Sequence, residues 1–279
     1  TIMSASMGGM SGMHEQAANE PDFAHIRPPY GFLHQGNQDE AEFAANAASW
    51  LDDKINEIGA SNVAAFVAEP IQGAGGVIVP PAGYFKHIQE ICRRHDILFV
   101  ADEVITGFGR TGQWFASQTM ELEPDMMALA KGLTSGYVPM SAVMVGDRVA
   151  NKLIADGGEL YHGFTYSGHP VASAVALANL ELIEREDMIT RVREDTGPYL
   201  AEALAPLAEH RIVGEIRTFG VLAAIELVKS KDGPEMFEDT GATGVICRDH
   251  AINRGLMMRA VRDAMILSCL LYTSDAADE

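Results

Sequence analysis

The sequence predicts an α/β fold with a mostly parallel sheet, and two observations carry that expectation. Four short runs, residues 63–68, 98–101, 126–130 and 142–145, are apolar throughout rather than alternating. That pattern marks strands buried on both faces. Stretches of helical periodicity lie between the first runs, as parallel strand order requires. A third observation locates a site. The run at 98–101 ends at Asp102 and Glu103, and the run at 126–130 at Lys131. Ligands of open α/β sheets sit at the carboxyl ends of strands, where these charges fall.

Taken in order, residues 41–59 place Phe43, Ala47, Trp50, Leu51, Ile55 and Ile58 at helical spacing, with Gly59 as the stop. After the strand at 63–68, Gly73, Gly75 and Gly76 form a flexible turn before 77–79, and Pro80-Pro81 break the chain. A helix over 84–95 carries Phe85, Ile88, Ile91 and Cys92 on one face. The strand to Asp102, a glycine-rich loop and the strand to Lys131 follow. Next come a strand at 142–145, a short helix at 147–155 and an aromatic loop at 161–170.

Beyond the loop, an Ala/Val/Leu-rich helix spans 171–184, with Ser167 as its expected N-cap. A second helix at 188–209 is broken or kinked at Gly197-Pro198. Paired strands at 212–219 and 221–227, a helix at 244–254 and a strand at 256–260 then form an α+β pattern. This change of pattern predicts a second, smaller domain.

Composition is that of an ordinary globular chain: 47% hydrophobic, 21% charged, with mean hydropathy near zero. Thirty-nine acids against 20 lysines and arginines give a net charge of −19 over 279 residues. Such a surface argues against a nucleic acid or an anionic membrane as partner. No apolar run approaches the roughly 20 residues of a membrane span. Cys92, Cys247 and Cys269 show no metal-binding spacing, so a reduced, cytoplasmic setting is expected and no metal site. The chain opens on Thr1 without a preceding element. Its last stretch, 269–279, continues neither a helical nor a strand pattern and resembles a translated sequencing adapter. We therefore expect an internal fragment with a non-native tail.

The stretch from Gly107 to Gly112 satisfies G-x-G-x-x-G. In dinucleotide-binding folds, however, the strand runs directly into the first glycine and the last glycine opens a helix. Here 102–106 intervene, and the carboxylates of Asp102 and Glu103 would repel a pyrophosphate. Lys131 is the sharper candidate. Partial desolvation at a strand end lowers an ammonium pKa and makes the amine a nucleophile for Schiff-base chemistry. A lone lysine there could equally snorkel to solvent, and a lone Asp102 could be a turn residue. Together they fit a pyridoxal 5'-phosphate site, with the lysine for the aldehyde and the acid for the protonated pyridine nitrogen.

The segment 99–112, FVADEVITGFGRTG, with Pro124-Asp125 and Ala130-Lys131-Gly132, resembles the pyridoxal-phosphate attachment signature of class III aminotransferases. Residues 69–73 (EPIQG) and 164–170 (FTYSGHP) resemble further motifs of that family. The resemblance runs in order from Thr1 to Ser268 and is greatest to the pyruvate-dependent ω-transaminases. It implies a fold-type-I transferase with a large cofactor domain at 1–170 and a small C-terminal domain at 171–268, both incomplete.

By the same resemblance, Lys131 would hold the cofactor and shuttle a proton, Asp102 would pair with the pyridine nitrogen, and Val104 would press on the ring. Thr165 would bond the cofactor phosphate of a neighbouring subunit, implying a homodimer, and Glu69 would lie near the site. The substrates implied are a primary amine or diamine and a 2-oxo acid. Relatives using 2-oxoglutarate commonly have glutamine where this chain has Ile105, which favours pyruvate. The family's phosphate loop and ring-stacking aromatic are expected upstream of Thr1, and its carboxylate-binding arginine downstream of Ser268. Cofactor residues do not fix which bond breaks, so a decarboxylase or aminomutase is one alternative, and a fragment inactive as it stands is the other.

Overall fold

The computed structural model describes residues 2–16, 22–231 and 235–268; the expected tail at 269–279, with Cys269, lies outside the described residues. The four apolar runs become β1 (Ala65–Ala68), β2 (Leu98–Asp102), β3 (Met126–Leu129) and β4 (Ala142–Val145), in that order across one sheet. β1 pairs with β2 in parallel, Phe66 opposite Phe99, and β2 with β3 in parallel, Val100 opposite Met126. β4 returns antiparallel on β3, Met126 opposite Val145, because the short 130–141 connection holds no crossover helix.

One face of this sheet is covered by the helices Glu40–Ile58 and Tyr84–Arg94. Phe43, Ala47, Leu51 and Ile55 recur every fourth residue and are buried with Phe85, Ile88, Ile91 and Phe99. An Asp39/Glu42 capping box starts the first helix, a device stabilising by about 1 kcal/mol. On the other side, Phe108, Leu129 and Leu133 share a core with Ala176, Ile183 and Met188. The helix Pro170–Arg185 thus packs with the first sheet although it follows residue 170. β4 departs from the expectation of strands covered on both faces: Val143 is 59% exposed, with Met144 and Val145 also exposed. It is an edge strand, and no core cluster among the described residues includes these three side chains.

The second sheet contains β5 (Val213–Phe219), β6 (Leu222–Leu227), β7 (Arg259–Val261) and β8 (Ala264–Ser268), ordered β5-β6-β8-β7 and antiparallel throughout. The strand expected at 256–260 shifts to Arg259–Val261, because a turn at 253–255 closes on Gly255 at φ 85° and delays extension. Ser167 is not the N-cap of the following helix. His169 takes that position, and Ser167 Oγ instead accepts the Phe164 N–H at 3.0 Å. The expected break at Gly197-Pro198 is present: a π-helical segment, Val192–Thr196, precedes the helix Gly197–Leu204. Proline lacks the N–H that a regular ladder would use there.

The turn between β5 and β6 reaches the first sheet's glycine-rich loop. Val221 N donates to Arg110 O at 2.9 Å, and a Cβ on Gly220 would meet that oxygen at 2.2 Å. Gly36 has the same φ of 57° in open space. Both Gly→Ala changes meet the left-handed penalty of about 1–2 kcal/mol, but Gly220→Ala adds a backbone collision. We predict that Gly220→Ala loses at least about 2 kcal/mol more than Gly36→Ala, read from urea midpoints. Equal losses would show that this contact does not shape the fold.

Candidate active site

The structure brings four of the five expected site residues together, Lys131, Asp102, Glu69 and Val104. Asp102 ends β2, Glu69 follows β1, and Lys131 lies two residues past β3. Parallel register places these three strand ends on one edge of the sheet. Asp102 Oδ1 accepts the Val104 N–H at 3.0 Å, so the carboxylate caps the turn that carries Val104. Glu69 Oε2 accepts the Gly73 N–H at 2.9 Å. Thr165 lies elsewhere, in a run from 151 to 170 exposed at every residue.

The charges at this edge act on one another. Burial pushes the Glu69 carboxyl up to about 6; the Gly73 N–H opposes it, Asp102 reinforces it and Lys131 opposes it. The Lys131 amine is lowered from its usual value, first by partial burial and then by the Arg110 guanidinium, against the pull of Asp102 and Glu69. The residue as a whole remains exposed. Lys131 also has φ of 38°, and Phe108 and Val77 on the flanking loops have φ of 62° and 51°. Such strain in non-glycine residues collects at functional sites when the surroundings over-determine it.

Close backbone contact supplies that over-determination. A Cβ on Gly132 would meet Phe108 Cβ at 2.7 Å and Arg110 Nη1 at 3.2 Å; one on Gly73 would meet Ile105 Cδ1 at 2.3 Å. The segment after β2 therefore lies directly on the segments after β1 and β3. Glu103, fully buried, fastens it from beneath. Its carboxylate accepts the Thr106 hydroxyl at 2.5 Å, Ala116 N at 3.1 Å, and the N–H and hydroxyl of Ser117, both at 2.6 Å.

Sequence reasoning left three residues out of the site. Glu103 stood in the motif without a role, because nothing local announced its partners 13 and 14 residues away. Arg110 was legible only as part of the glycine loop. Arg259, on β7, depresses the Lys131 amine and so lies in its electrostatic neighbourhood; the signal that could have found it is a lone arginine opening a strand. Asp125 proves structural, accepting Phe99 N at 2.8 Å and Arg148 Nη1 at 3.2 Å.

The donor set fits pyridoxal 5'-phosphate: a partly desolvated primary amine and a carboxylate face one edge, with the half-buried Val104 between their strands. Among the described residues no His/Cys/Asp/Glu cluster could hold a metal ion. A raised carboxyl pKa means that Glu69 favours the folded state most below its unfolded value of 4.5, and that this contribution is lost as pH rises through about 6. We predict that Glu69→Gln stabilises the cofactor-free protein by up to about 2 kcal/mol above pH 6, with no gain below pH 4.5. Urea titrations across that range measure it. A gain independent of pH would remove the titration of Glu69 as its cause.

The aminotransferase class-III family model matches residues 2–270. The putrescine–pyruvate aminotransferase of Pseudomonas aeruginosa is 52% identical over 269 residues, covering 96% of this chain and 59% of that protein. Vanillin aminotransferase of Capsicum annuum is 40% identical over 94% of this chain and 58% of its own length. Among solved structures, an omega transaminase from Pseudomonas jessenii in complex with PMP superposes with a TM-score of 0.93 at 40% identity, covering 99% of this chain and 62% of that one. The chain thus spans about three fifths of the length of these relatives. It belongs to the class-III aminotransferases.

Proposed function

We propose that the protein is a pyridoxal-phosphate-dependent aminotransferase moving an amino group from a primary amine or diamine to pyruvate by a ping-pong route. The observation that carries this reading is the meeting of Lys131, Asp102 and Glu69 at the carboxyl ends of adjacent parallel strands. When bound, the cofactor supplies an aldehyde that takes up the amino group and an electron sink for the carbon that loses its proton. Lys131 would anchor it and, as a free amine, would move that proton. A lowered amine pKa suits both tasks. Asp102 would hold a positive charge on the ring nitrogen, and Val104 would offer the ring an apolar surface.

Arg259, whose charge acts on the Lys131 amine, is one described guanidinium suited to the carboxylate of the 2-oxo acid, since a guanidinium receives a carboxylate through two parallel hydrogen bonds. Thr165 is assigned to the cofactor phosphate of a second copy. Its exposed surroundings, with Tyr161, Phe164 and Tyr166 each more than three-quarters exposed, support burial against another subunit, and so a homodimer. No described helix is long and apolar enough to cross a membrane, and the cysteine pattern supports a cytoplasmic setting.

Full-length protein given putrescine and pyruvate is expected to form alanine without carbon dioxide or an isomerised amine. Lys131→Ala is expected to lower kcat at least about 10³-fold and to remove the borohydride-trapped cofactor adduct; normal turnover in that variant would refute the lysine assignment. Arg259→Ala is expected to raise the KM for pyruvate at least about tenfold, a loss of about 1.4 kcal/mol. The amine half-reaction should change far less, and an equal effect on both halves would place Arg259 outside the carboxylate's reach.

A further inference from the structure

Arg217, in the second sheet, is the most fully engaged charged side chain outside the site. A guanidinium carries five N–H donors, and here each has an acceptor of its own. Nε donates to Val77 O at 3.1 Å; Nη2 donates to Gly76 O at 2.7 Å and to Glu226 at 2.8 Å. Nη1 donates to Glu215 and to the Tyr30 hydroxyl. The Tyr30 ring lies 4.6 Å from the guanidinium carbon, and its hydroxyl also donates to Glu226 at 2.8 Å. Stability alone would be served by the carboxylates. The two carbonyls call for another reason.

Gly76 O and Val77 O belong to the turn after Glu69. Val77, a β-branched residue, is held there at φ 51°, a conformation that bulky residues leave when free to do so. Its N–H donates to Gly73 O at 3.1 Å, and Gln72 and Ile78 exchange two backbone bonds across the turn. That closure fixes the Gly73 N–H, which points at Glu69 Oε2 from 2.9 Å. A continuous series of hydrogen bonds therefore runs from Arg217 through the strained turn to the carboxylate beside Asp102 and Lys131.

We propose that Arg217 is a positioning residue for the reaction site, holding the 73–77 turn so that its Gly73 N–H fixes the Glu69 carboxylate. The proposal rests on the aminotransferase reading for its catalytic consequence, though not for its structural one. Lysine at 217 keeps the positive charge against Glu226, but its single ammonium cannot span both carbonyls and both carboxylates. Removing Glu69 should make the identity of residue 217 irrelevant to chemistry.

The test uses the full-length protein and the variants Arg217→Lys and Glu69→Gln, singly and together. A further variant, Arg217→Met with Glu226→Gln, removes the buried charge pair in case lysine is not tolerated. In the cofactor-free protein, the Gly73 and Val77 amides are expected to exchange with solvent at least about tenfold faster in either Arg217 variant. Amides of the helix Glu40–Ile58 should not change. In the holoenzyme, Arg217→Lys is expected to lower kcat at least about fivefold with little change in amine KM, and to have no further effect once Glu69 is glutamine. Unchanged exchange at Gly73, or additive losses with Glu69→Gln, would overturn the proposal. So would global unfolding of both Arg217 variants, which would assign the residue to stability alone. If the unaltered protein forms no alanine, the aminotransferase reading fails while the exchange result still decides whether Arg217 positions the turn.

Discussion

The burial of the Glu103 carboxylate is the interaction on which the site depends. A charge taken fully out of water is tolerated only where hydrogen bonds replace its hydration. Glu103 has four donors, from Thr106, Ala116 and Ser117. All four lie in the segment that follows it, so satisfying the charge dictates the path of 103–117. That path carries Val104 past the end of β2, and Phe108 and Arg110 against Gly132. Lys131 owes its partial desolvation and its strained backbone to this pressure from one side. Replacing the carboxylate would strand several buried N–H and O–H groups at once, each costing about 1–3 kcal/mol.

The second sheet acts on the same edge from the opposite direction. Its β5–β6 turn accepts no side chain at Gly220 because the Arg110 carbonyl lies against it, and Val221 N bonds that carbonyl. Arg217, one strand back, grips the turn behind Glu69. The loop after β1 is held by the Arg217 side chain and the loop after β2 by Val221 N, both from a sheet formed more than 100 residues later. The candidate site at the strand ends thus takes its positions in part from the second sheet, which also brings one charged group, Arg259, near Lys131.

How much of this was legible follows from the range of each interaction. Continuous apolar runs are a local signal, and they placed four strands of the first sheet to within two residues. A charge ending such a run is equally local, so Asp102 and Lys131 could be read as a site from the pattern alone, whereas Glu69 entered only through the family resemblance. Ser167 misled because Ser-Gly-His-Pro offers two capping positions, and proline at the first helical residue selects the one beside it. Arg217 and Tyr30, 187 positions apart, were illegible, since a buried charge is identifiable only through partners that folding supplies. Arg259, exposed on β7, was missed because only folding brings its charge near Lys131.

The glycine loop shows how a motif's spacing can be correct and its usual meaning absent. In a dinucleotide fold those glycines let a backbone approach a pyrophosphate. Here Gly107 and Gly112 answer protein contacts and Gly109 a turn instead. A Cβ on Gly107 would meet Glu103 O at 2.8 Å, Gly109 turns at φ 96°, and a Cβ on Gly112 would meet Arg193 Cα at 3.2 Å. The only helix that follows promptly is the four-residue Ala116–Thr119, too short to focus a dipole on phosphate, and its first N–H groups are already committed to Glu103. An acidic side chain occupies the place that an anion would need. The loop therefore packs Phe108 and Arg110 against Gly132, while its glycines serve its own turn and its approach to the Arg193 segment.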